Sequence, residues 1–167
     1  MQTLWIFDVS ALLKIHELTD QNSLNELLDQ LTIQIEKGRA GFPRAVVDEL
    51  KKYARSEPIT FWAQGLGKSI RDCSPGWANY SAVMDVVSKA GYDEGIENID
   101  GSDSSIVAAA AFAFKKRTDG ADFRVVSEDR GSLPLRPTME QVCGLLGHDM
   151  VCTRDALDGL GLNEFLR

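Results

Sequence analysis

Four carboxylates stand where an ordinary fold has little use for one. Asp8 ends the apolar run LWIF, so it falls at the tip of a strand that would fill the middle of a sheet. Glu49 lies in PRAVVDELKKYAR, where Val46, Leu50 and Tyr53 mark an inward helix face. It interrupts that apolar stripe, while Asp48, Lys51, Lys52 and Arg55 point away. Asp103 opens the alanine-rich helix SDSSIVAAAAFAF, and Asp129 follows the strand-like FRVVSE. Each acid has a structural alternative. Asp8 can cap the next helix, and Glu49 can sit in a salt bridge. Asp103 gains about 0.3–1 kcal/mol from the helix dipole in a first turn. Asp100 competes with Asp103, and Glu128 with Asp129.

The joint arrangement points to chemistry. Ligands of open parallel sheets bind beyond the carboxyl ends of the strands. If both strands are central, the four acids converge at one sheet edge. Clustered carboxylates repel each other unless cations intervene. All-oxygen donors suit Mg²⁺ or Mn²⁺ rather than zinc. Such ions turn water into a nucleophile and steady a phosphoryl leaving group.

The elements that must position these acids follow from periodicity. Residues 3–8 read as a buried strand, with a helix from Ser10. Leu24, Leu27, Leu28, Leu31 and Ile35 make 22–37 an amphipathic helix capped by Asn22 or Ser23. GRAGF is a short strand, and Pro43 suits the first position of the next helix. Stretches 58–72 and 79–90 read as helices joined by an SPGW turn. YDEGIENIDG is an acidic loop before the alanine helix. DFRVVSED is a strand and GSLPLRP a loop, followed by helix, strand and helix in TMEQVCGLL, HDMVCT and RDALDGL. Strands alternating with helices imply an α/β fold, a parallel sheet with helices on both faces. No repeat or linker divides residues 1–167, so one domain is expected.

Composition narrows the classes. A net charge of −7 is not the footprint of a protein that coats nucleic acid, though a metal nuclease keeps its own carboxylates. Cys73, Cys143 and Cys152 are scattered, and His16 and His148 stand alone, which argues against a zinc site or a disulfide framework. The cytoplasm is the expected setting. No apolar run of about 18 residues is present, so no membrane span is expected. A basic n-region and cleavage site are also lacking, so no signal peptide is expected. GLGKS ends like a phosphate-binding loop, but Trp62 stands where that loop needs glycine and no strand precedes it. Asp8-Val9-Ser10 is a weak match to phosphatases with an aspartate nucleophile, because Ser10 holds the place of their second acid.

In order along nearly the whole chain, these segments resemble the PIN-domain family, and within it the toxin-type endoribonucleases of toxin–antitoxin pairs. WIFDVSALL is similar to the family's first strand, aspartate and nearby hydroxyl. VVDELKK is similar to its second-acid helix, SDSSIVAAAA to its third, and VVSED to its last strand with serine and acid. Val9 departs from the hydroxyl residue often found after the first aspartate. The resemblance implies a three-layer α/β fold and an Mg²⁺- or Mn²⁺-dependent ribonuclease. Asp8, Glu49, Asp103 and Asp129 would be the metal-binding and catalytic acids, with Ser10 and Ser127 supporting them. It further implies an RNA substrate cut to a 3′-hydroxyl and a 5′-phosphate, an antitoxin partner and a homodimer. The alternative within the same fold is a scaffold that binds RNA or protein without cutting.

Among the cations, Arg44, Lys51, Lys52, Arg55, Lys68 and Arg71 form a candidate RNA path. Lys115, Lys116 and Arg117 read as charges suited to a helix end. Trp62 and Trp77 read as core residues, with base stacking as the alternative role.

Overall fold

The computed structural model describes residues 2–92, 105–134 and 136–167. Among them a four-stranded sheet is parallel throughout, in the order β2-β1-β3-β4. The strands are β1 (Leu4–Phe7), β2 (Ala40–Gly41), β3 (Phe123–Val126) and β4 (Met150–Val151). The expected α/β class and three-layer architecture are observed.

Side-chain alternation along the central strands builds the two outer layers. Phe7 and Val126 enter one core with α1 (Val9–Leu18), α2 (Gln21–Glu36), α3 (Arg44–Tyr53), α4 (Pro58–Gln64) and α8 (Thr153–Gly159). Ile6 and Val125 enter the other with α5 (Trp77–Lys89), α6 (Ser105–Thr118) and α7 (Met139–Leu146). The alanines of α6 are buried from Ala108 to Ala111, so this helix lies close against its neighbours. On the opposite face α8 approaches the sheet at Gly159, where an added Cβ would fall within 2.8 Å of Trp5 Cη2. No helix among the described residues is long and apolar enough to cross a membrane.

The element boundaries differ from expectation in physically simple ways. The helix expected over 58–72 stops at Gln64 and gives way to turns and a short 3₁₀ segment, Arg71–Cys73. Gly65 and Gly67 interrupt it, each costing about 1 kcal/mol in a helix. Pro43 is the residue before α3, with extended backbone at ψ 161°, rather than its first helical residue. Asp20, not Asn22 or Ser23, caps α2 by accepting from the Ser23 amide at 2.8 Å. The acidic loop falls mostly outside the described residues.

Strand register is the feature that matters for a site. Phe7 pairs with Val126, so the residues that follow them, Asp8 and Ser127, leave the sheet side by side at its carboxyl edge. β2 runs the same way, with Ile6 paired to Gly41, so the chain enters α3 from that same edge.

Candidate functional site

Asp8 is 2 % exposed and caps α1. Its Oδ1 accepts from the Ala11 amide at 2.9 Å and from Ser10 Oγ at 2.7 Å. Its Oδ2 accepts a short hydrogen bond from Ser127 Oγ. Capping and a functional role are therefore compatible here, because the cap uses Oδ1.

The two serines are themselves fed by the tip of β3. Ser10 Oγ accepts from the Glu128 amide at 2.9 Å, and Ser127 Oγ from the Asp129 amide at 3.0 Å. A hydroxyl carries one proton. Both protons are committed to Asp8 while it is ionised, so the 3.2 Å approach of the two hydroxyl oxygens is then a contact without a proton between them. Burial pushes the Asp8 carboxyl up to about 6, against the pull of its bonds from Ser127, Ser10 and Ala11; Asp129 nearby pushes it further up. Asp8 makes no ion pair among the described residues.

The two acids after Ser127 part company. Glu128 turns to α8, where its Oε1 accepts from the Thr153 amide at 3.1 Å. Asp129 stays on the Asp8 side. Its Oδ2 accepts from Arg136 Nη1 and from the Met139 amide at the start of α7, each at 3.0 Å. Its Oδ1 accepts no hydrogen bond among the described residues. Arg136 has no signal in the sequence; it is one cation in a loop of irregular composition.

Glu49 is half-buried rather than fully buried, and the apolar stripe around it is narrower than its spacing suggests. Val46 and Leu50 are fully buried, but Tyr53, the last residue of α3, is 57 % exposed. Glu49 reaches the start of α6. Its Oε1 accepts from the Ser105 amide at 3.2 Å, and its Oε2 from Ser105 Oγ at 2.8 Å. Ser105 was missed in the sequence, although a serine at a helix start is an ordinary capping type. Asp103 and its competitor Asp100 lie outside the described residues.

Asp8 and Asp129 are thus brought together through Ser127, and Glu49 is held on α6. Among the described residues no group of three or more His, Cys, Asp or Glu converges closely enough to hold a metal ion. The donors that do meet are carboxylate and hydroxyl oxygens around a buried acid without a cation, which is the donor type a hard divalent ion takes. The three thiols are free, and burial, with the Asp8 carboxylate adding to it, pushes the Cys143 thiol up.

The tryptophans divide. Trp62 packs against Phe42 and donates to Thr32 Oγ at 2.8 Å, as a core residue does. Trp77 is 85 % exposed and stands in an open cleft of about 910 Å³ with Tyr80 and Tyr92, so the core role expected for it is not observed.

No family model matches this chain, and no curated protein matches it.

Proposed function

We propose that the protein is a divalent-metal-dependent endoribonuclease with a PIN-type site, acting as the toxin of a toxin–antitoxin pair. The observation that carries the reading is Asp8, buried at the carboxyl end of the central strand with two serine donors and no cation beside it among the described residues. A buried carboxylate costs several kcal/mol, roughly, unless its charge is met. A bound cation meets it.

Asp8 and Asp129 would hold Mg²⁺ or Mn²⁺, with Asp103 and Glu49 completing the set directly or through water. The bound ion would activate water and stabilise charge on the leaving oxygen. Ser10 and Ser127 fix the Asp8 carboxylate in one orientation. The Asp129 Oδ1 oxygen, unbonded among the described residues, would serve as ligand or proton acceptor. In-line attack at phosphorus then yields a 3′-hydroxyl and a 5′-phosphate. An antitoxin would place Arg or Lys among the acids, since a guanidinium fork matches carboxylates. A homodimer and a cytoplasmic setting belong to the same reading.

Four hydrogen bonds favour a second reading, a PIN-like scaffold that binds without cutting. Arg136 and the Met139 amide already occupy Asp129 Oδ2, and Ser105 engages both Glu49 oxygens. Incubating purified protein with RNA in Mg²⁺, Mn²⁺ or EDTA decides between them. Cleavage that needs metal and vanishes in a folded Asp8→Asn variant supports the nuclease. Cleavage undiminished by that substitution removes Asp8 from the mechanism, and no cleavage under any condition favours the scaffold.

A further inference from the structure

We propose that single-stranded RNA reaches the acidic edge along a trough between α3 and α4, its phosphates on Arg44, Lys51 and Arg55 and a base stacked on Phe61. The choice of ligand rests on the nuclease reading; the trough itself rests on independent observations.

At about 100° per residue, Arg44, Asp48 and Lys51 share one arc of α3, and Arg55 follows in the turn just beyond the end of the helix. All four side chains are exposed. Two adjoining clefts lie beneath that arc. One, of about 240 Å³, is lined by Arg44, Lys51 and Gln64 among others, and one of about 560 Å³ by Lys51, Arg55, Phe61 and Gln64. Sharing Lys51 and Gln64, the two adjoin, and together they are the trough of the proposal.

The direction of the trough is set by the sheet. Arg44 begins α3 directly after β2, at the carboxyl edge where Asp8 also leaves the sheet. Lys51 lies in the last turns of α3 and Arg55 just beyond its end, both further from that edge. A strand laid in the trough therefore leads toward the acids.

The charges are available for a partner. Arg44 pairs with Asp48 at 3.8 Å, with both side chains well exposed, an arrangement worth little. Lys51 and Arg55 make no ion pair among the described residues. The chain as a whole carries −7 and repels a polyanion, so an RNA-binding surface must be a local cationic one. Cations near a helix C-terminus serve the dipole without any ligand. That explanation covers Lys51 but not Arg44 at the opposite end. Nor does it cover Phe61, which is 63 % exposed in the trough wall. A lone flat ring beside a row of cations is the arrangement that binds bases by their π-faces and the backbone by charge.

The test is fluorescence anisotropy of the full chain with a labelled, mixed-sequence RNA of about 12 nucleotides. It is run in EDTA across a salt series, so that nothing is cleaved. Lys51→Gln with Arg55→Gln should weaken binding by about tenfold or more and flatten the log–log salt slope by about 1.4, the loss of two single-strand phosphate contacts. Phe61→Leu, which keeps an apolar side chain but not the ring, should weaken binding by about fivefold with the slope unchanged. Lys37→Gln with Arg39→Gln, the same charge change at the opposite edge of the sheet, should alter neither. RNA that fails to bind, or that binds all variants alike, overturns the trough. Metal-dependent cleavage retained beside such indifference leaves the nuclease standing and only the path refuted. Trough-dependent binding without any cleavage supports the path and refutes the nuclease.

Discussion

Ser127 donates its hydroxyl proton to Asp8 Oδ2 across 119 residues of sequence, from the tip of β3 to the tip of β1. The Phe7–Val126 pairing alone brings them together. Ser127 is fully buried, so no water replaces it when it is lost. Ser127→Ala should therefore destabilise the protein by about 1–3 kcal/mol. Ser10→Ala should cost less, because Ser10 is only half-buried and Asp8 Oδ1 keeps its bond from the Ala11 amide. Urea unfolding of the two variants gives the ranking, and the reverse order would refute this account of the network.

Arg136 holds Asp129 Oδ2 at 3.0 Å and so competes with any cation for that carboxylate. Arg136→Gln should lower the stability of the metal-free protein by about 1 kcal/mol or less, since the pair is partly solvated. It should also raise the stabilisation that Mn²⁺ confers, because ligand binding to the folded state adds to stability by mass action. Melting curves with and without Mn²⁺ measure both. A smaller Mn²⁺ response in the variant would show that Arg136 supports the site instead of blocking it.

His148 is buried against the edge of Phe123, and neither ring nitrogen has a hydrogen-bond partner among the described residues. Burial pushes it down to about 4, with the Arg117 guanidinium adding to the effect. The unfolded chain takes up this proton near pH 6.5 and the folded one only near 4. Stability should thus be lost as pH falls between those values, by up to about 3 kcal/mol. Asp8 acts with the opposite sign. Its raised folded value, about 6 against 3.8, adds stability as pH falls through that range. The wild-type curve is therefore partly flattened. His148→Phe keeps a ring against Phe123 and removes the titration, so the difference between the two stability curves should carry the whole His148 slope. A difference constant from pH 4 to 7 would place a proton on the folded imidazole after all.

Gly159 and Gly144 should respond oppositely to alanine. A Cβ at Gly159 meets the Trp5 ring, a rigid wall, so Gly159→Ala should destabilise by about 1–3 kcal/mol. A Cβ at Gly144, on the exposed side of α7, meets nothing within 4 Å. Gly144→Ala should stabilise by roughly 0.5–1 kcal/mol through helix propensity alone. Thermal denaturation of both checks the close approach of α8 to the sheet, which equal effects would contradict.

The sequence by itself determined the alternation of strands and helices, and with it the parallel three-layer fold and the position of Asp8 at a strand tip. These are local matters: periods of two and 3.6 residues are written in a few neighbours, and an apolar run that stops on an acid announces its own end. Tertiary structure decided the rest. It chose Asp129 over Glu128 for the Asp8 side, because the chain turns beyond Val126 and sends Glu128 to α8. It set Arg136 on Asp129, half-buried Glu49 on the start of α6, and left Trp77 in solvent while Trp62 packed. Each of these depends on which element arrives beside another, through strand order, register and helix docking. Most such contacts join residues tens of positions apart, and even Arg136 and Asp129, seven apart, meet only through the fold of their loop, so no pattern within a single segment encodes them.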